Sequence, residues 1–169
     1  MKKSKKMHID KRGYTIMELL VASFVFIVVI VAVLGLFSIA IKSQRRVIAQ
    51  QNVQENGRYL MDFMAKEIRM SMITTSNGKS SNFSLVRSDG DSVTYSIFGG
   101  KIYRNDDQVS SDEITVSGYF YVEGYGAGIT DNQQPKVTIT LKIQGIGNRP
   151  EERSSVNIQT TLSQRILDL

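Results

Sequence analysis

Glu18 is the only charged residue between Arg12 and Lys42, and the twenty-three residues after it, Leu19–Ile41, are uncharged. A carboxylate carried toward the centre of a membrane-spanning helix costs about 2.5–3.5 kcal/mol. A helix dipole favours an anion in the first turn and offsets part of that cost. Read by itself, Glu18 is a dipole-stabilised acid at a membrane edge. Immediately before it stand Lys11-Arg12-Gly13-Tyr14-Thr15, which close a basic segment that also holds Lys2, Lys3, Lys5 and Lys6.

Other reactive constellations are scarce. With no cysteine in the chain there are no disulfides, thiolate metal sites or cysteine nucleophiles. The single histidine, His8, lies in the basic segment, so the chain beyond residue 13 lacks the groups of most nucleophile–base pairs and most zinc sites. Carboxylates, hydroxyls and lysines remain, in no recognisable catalytic arrangement, and neither an enzyme nor a bound cofactor or metal is expected. Asp89-Gly90-Asp91 and Asp106-Asp107 lack the loop spacing of a dedicated calcium site and read as turn chemistry. Of seven tyrosines, four fall between Tyr103 and Tyr125. On strands such residues usually pack, but Tyr119-Phe120-Tyr121 occupies both faces of one strand and leaves an aromatic ring exposed.

The net charge of +5 suggests an anionic partner only until it is divided by segment. Residues 1–13 carry six basic side chains against Asp10, which accounts for the whole excess. The other 156 residues hold fifteen of each sign, so direct nucleic-acid binding is not expected.

The elements that must position Glu18 follow from periodicity. At about 1.5 Å per residue, Leu19–Ile41 spans about 35 Å, enough for a hydrocarbon core of about 30 Å. A cleaved secretory signal has a shorter apolar region and a small-residue cut site, so this segment stays in the membrane. The positive charges before it place the N-terminus in the cytoplasm and the remainder outside, with Arg45-Arg46 at the membrane interface. Past Ile41 no proline intervenes, and Val53, Leu60, Phe63, Met64, Ile68 and Met72 repeat on one helical face. The helix is expected to run from Tyr14 to Thr74, apolar all round in residues 14–41 and amphipathic in 42–77. Residues 78–169 change to period two, with strands at Asn82–Ser88, Ser92–Phe98, Lys101–Arg104, Ile114–Val122, Val137–Ile143 and Val156–Leu162. Gly99-Gly100 is a two-residue hairpin signal. The expected fold class is α+β, an antiparallel sheet whose apolar face is covered by residues 53–72.

Read across the boundary, Lys11-Arg12-Gly13-Tyr14-Thr15-Ile16-Met17-Glu18-Leu19-Leu20 resembles the class III signal of type IV pilins and type II secretion pseudopilins. That signal is basic residues, Gly, an aromatic residue, Thr, two apolar residues, Glu and an apolar run. The resemblance implies a leader, 1–13, removed by a prepilin peptidase that cuts between Gly13 and Tyr14 and methylates the new amino group of Tyr14. It gives Glu18 the task of pairing with the Tyr14 amine of a neighbouring subunit as helices stack in a filament. It implies the pilin fold, partners that are other pilin or pseudopilin subunits and an inner-membrane assembly platform, and passage from the inner membrane into a pilus or pseudopilus. Tyr14 stands where phenylalanine is commoner, Gly35 where major pilins often have a kinking proline, and a disulfide-closed C-terminal loop is absent. Glu55-Asn56-Gly57-Arg58, Met64–Arg69, the hairpin Val93–Arg104 and the closing Gln159–Arg165 resemble minor pilins and J-type pseudopilins. The alternative is an ordinary single-pass membrane protein with an extracytoplasmic β-rich binding domain.

Overall fold

A computed structural model describes residues 13–125 and 134–165. The basic segment up to residue 12, expected as part of a leader, and the middle of the loop expected at Glu123–Pro135 lie outside the described residues. The chain divides into two compact units, Met1–Ile41 and Lys42–Leu169. Helix α1 (Ile16–Arg69, 54 residues) contributes to both.

In the first unit every described side chain, from Gly13 to Ile41, is exposed, although most are large and apolar. Helix α1 is long and apolar enough there to cross a membrane. Its one hydroxyl near the start is satisfied within the helix, where Ser23 Oγ donates to the Leu19 carbonyl at 2.8 Å. No break occurs at Gly35, the residue standing in the kinking position.

In the second unit the remainder of α1 is amphipathic. Val53, Leu60, Met61, Met64 and Ile68 are buried, with Phe63 packed beside them. They cover two antiparallel sheets, not the single one expected. The strands are β1 (Ser71–Ile73), β2 (Gly78–Ser80), β3 (Asn82–Arg87), β4 (Ser92–Phe98), β5 (Lys101–Arg104), β6 (Asp107–Gln108), β7 (Ile114–Glu123), β8 (Lys136–Gly145) and β9 (Ser155–Ser163). One sheet has the order β1-β3-β4-β5-β6 and the other β2-β7-β8-β9. The division arises because β2 crosses to pair with β7, with Gly78 opposite Val122, while β3 beside it in sequence pairs with β4. Phe83 and Phe120 stack at 5.5 Å and join the two sheets through their inner faces.

The helix also ends earlier than the apolar periodicity predicts, at Arg69 instead of Thr74. Ile73 is β-branched and enters the ladder opposite Leu85, and its N–H donates to Gln164 Oε1 at 2.8 Å. Met72, expected on the buried helical face, points outward from β1 and is exposed. Arg165 N–H donates to the last helical carbonyl, that of Arg69, at 3.1 Å.

At Gly57 helix α1 lies directly against side chains of the second sheet. A β-carbon there would lie 2.7 Å from Ile158 Cδ1 and 3.0 Å from Ile143 Cδ1. Gly99 and Gly100 have φ of +57° and +78°, as the expected β4–β5 hairpin turn requires.

Candidate functional site

The residues singled out at the N-terminus converge on the first turn of α1. Gly13, Tyr14 and Thr15 precede the helix in non-helical conformation and are exposed. Thr15 is the N-cap. Its Oγ1 accepts from the Glu18 N–H at 3.2 Å, and its carbonyl accepts the first helical bond, from the Leu19 N–H at 3.1 Å. Thr-x-x-Glu is the spacing of a capping box, and the Thr15 half of that exchange is made. The Glu18 carboxylate accepts no hydrogen bond and forms no ion pair with any described residue. Glu18 lies in the first turn of α1, at the positive end of the helix dipole.

Among the described residues no group of three His, Cys, Asp or Glu side chains converges to hold a metal ion. Asp89 is engaged in a turn, where its Oδ1 accepts from the Asp91 N–H at 3.1 Å and its Oδ2 lies 3.2 Å from Arg87 Nη2, while Asp106 lies in the turn before β6 and Asp107 within that strand. The strand Tyr119-Phe120-Tyr121 does present both faces. Phe120 is in the core, Tyr121 is exposed, and Tyr119 lies under the ammonium of Lys79, 3.8 Å from the ring centroid.

One polar cluster went unread in the sequence. Glu67, on the last turn of α1, accepts from Arg104 Nε at 3.1 Å and from Arg104 Nη2 at 2.7 Å. It also accepts from the hydroxyl of the buried Tyr95, and Arg87 Nε stands 3.8 Å away. Burial pushes the Glu67 carboxyl up, but the hydrogen bonds from Arg104 and Tyr95 and the charges of Arg104 and Arg87 outweigh it, leaving the pKa below its ordinary 4.5. Tyr95 is pushed up, first by burial and then by its bond to the carboxylate. The only sequence signal was that Glu67 stands three residues beyond Met64 and seven beyond Leu60, on the apolar stripe. All the carboxylate's partners are structural ones, and the cluster ties the helix to the five-stranded sheet.

Comparison with protein-family models, with curated proteins and with solved structures returned no match. The functional reading therefore rests on the residues themselves.

Proposed function

We propose that the protein is a structural subunit of a type IV pilus or type II secretion-like filament, a minor pilin or pseudopilin. The observation that carries this reading is the first turn of α1. Gly13, Tyr14 and Thr15 lie exposed and outside regular structure before a Thr15-capped helix, and Glu18 is unpartnered among the described residues. A long, fully exposed apolar stretch follows at once. Amphipathic helix packed on antiparallel sheets, as in the second unit, is compatible with the layout of such subunits.

In this reading the prepilin peptidase cuts after Gly13 and methylates Tyr14. The amine of Tyr14 then lies four residues before Glu18. Between stacked subunits the carboxylate of one and the amine of another neutralise each other in a medium where either alone would be expensive. The residues 16–41 supply the packing surface and the sheets remain extracytoplasmic. Polymerisation, not catalysis, is the activity.

Mass spectrometry of the membrane-resident protein tests the first step: a mature N-terminus at methylated Tyr14 is expected. An intact Met1 would favour the single-pass membrane protein instead. Glu18→Ala should be processed normally yet fail to enter filaments; wild-type incorporation would remove Glu18 from assembly.

A further inference from the structure

The outer edge of β9 is paired by no described strand of the second unit. The four outer strands of the two sheets are β1, β6, β2 and β9. The first three have three, two and three residues, whereas β9 has nine. Natural edges are commonly protected by charge, proline or a bulge. Ser155–Ser163 contains neither a charged residue nor a proline and is rich in Val, Ile and Thr.

The direction of its backbone groups follows from the ladder. Gly145 N–H donates to the Ser154 carbonyl at 2.9 Å, and Gln164 N–H donates to the Pro135 carbonyl at 3.2 Å. Both pairs continue the β8–β9 register. Bonding to a given neighbour alternates along an antiparallel strand, so even-numbered residues of β9 face β8. Asn157, Gln159 and Thr161 consequently turn their N–H and C=O groups outward, and no other described residue bonds them.

Beside this edge runs a groove of about 900 Å³ between β9 and α1, floored by Met61, Val156, Ile158 and Leu162. Past Leu162 lies a second hollow where, among the described residues, Lys66, Arg69 and Arg165 stand with one acid, Asp62. An extended backbone would satisfy the edge, alternate apolar side chains would fill the floor, and negative charge would suit the far end.

We propose that the β9 edge is a strand-addition site for an extended segment of another protein, apolar at alternate positions and acidic at the end lying beside Arg165. This goes beyond filament assembly through the N-terminal helix and does not depend on it. The test uses the full-length chain in detergent and a fluorescein-labelled ten-residue peptide of alternating valine and threonine ending in two aspartates. Saturable binding is expected by anisotropy, with added amide-exchange protection at Asn157, Gln159 and Thr161. Asn157→Pro/Thr161→Pro, which removes two outward N–H groups and no β8 bond, should weaken binding at least tenfold. A second arm leaves the protein unchanged: methylating alternate peptide nitrogens in one register should abolish binding, and lysines in place of the aspartates should weaken it severalfold. No binding at millimolar peptide, equal binding of peptides methylated in either register, or equal binding of the lysine peptide would each overturn the proposal. So would concentration-dependent dimerisation abolished by the proline variant without peptide binding, which would assign the edge to a second copy of this chain.

Discussion

Arg104 holds Glu67 through both arms of its guanidinium, Nε to Oε2 at 3.1 Å and Nη2 to Oε1 at 2.7 Å. This two-point grip joins β5 to the last turn of α1 across 37 positions of sequence. It is the strongest polar tie between the helix and the five-stranded sheet, because a bidentate charged pair fixes orientation as well as distance.

Its first consequence is a pH dependence. The folded pKa of Glu67 lies below its unfolded value, so its contribution to stability is fully present above about 4.5 and falls away as pH drops through the folded value. Glu67→Gln should flatten the acid limb of the stability profile below about pH 4.5. Denaturant midpoints of both proteins between pH 6 and pH 3 measure this, and parallel profiles would mean that other carboxylates carry the acid limb.

Tyr95 and Arg104 should contribute unequally. Tyr95→Phe removes one hydrogen bond while Arg104 still satisfies both carboxylate oxygens, and a loss of about 1 kcal/mol is expected. Arg104→Met leaves a mostly buried carboxylate without its main partner and should cost about 2–3 kcal/mol. Equal losses in urea unfolding would show that the tyrosine hydroxyl, not the guanidinium, anchors the cluster.

Gly57 and Gly35 belong to the same helix but should respond in opposite ways to added side chains. A leucine at 57 would drive into Ile158 and Ile143, and overpacking of this kind costs about 1–3 kcal/mol. At Gly35 a β-carbon meets nothing within 4 Å, so Gly35→Ala should leave the unfolding of the sheets unaltered. Thermal melts followed in the near-ultraviolet separate the two cases.

At the β4–β5 turn the backbone alone decides the outcome. Gly99 has φ of +57° and open space where a side chain would go, so Gly99→Asn should be tolerated within a few tenths of a kcal/mol. Gly99→Val should cost about 1–2 kcal/mol, the penalty of a left-handed conformation for an ordinary residue. Chemical denaturation of the pair is the measurement, and a harmless valine would show that the turn can be rebuilt.

Much of this architecture is legible in local pattern. The strands from Asn82 to Arg104 were readable almost to the residue, because alternation and a Gly-Gly turn are local signals. The apolar segment and Glu18 at its boundary were equally plain. The division into two sheets was not, since it depends on β2 reaching β7 across some forty residues, a choice with no local mark. The early helix end was hidden for a related reason: Met72 continues the helical stripe, and only the pairing of Ser71–Ile73 with Leu85–Arg87 makes the segment a strand. Glu67 carries no local mark of its role, which depends on Arg104 and Tyr95 from distant strands. Gly57 read as a weak helical residue, whereas its lack of a side chain is what lets the helix lie on Ile158.

That contact has a bearing on the order of synthesis. Strand β9, which supplies Ile158, is made about a hundred residues after Gly57. A nascent chain therefore carries the Gly57 side of α1 without Ile158 against it until nearly all of the second unit has emerged. That side of the helix waits for its last strand, and during that interval an unfinished chain depends on whatever else can shield it from aggregation.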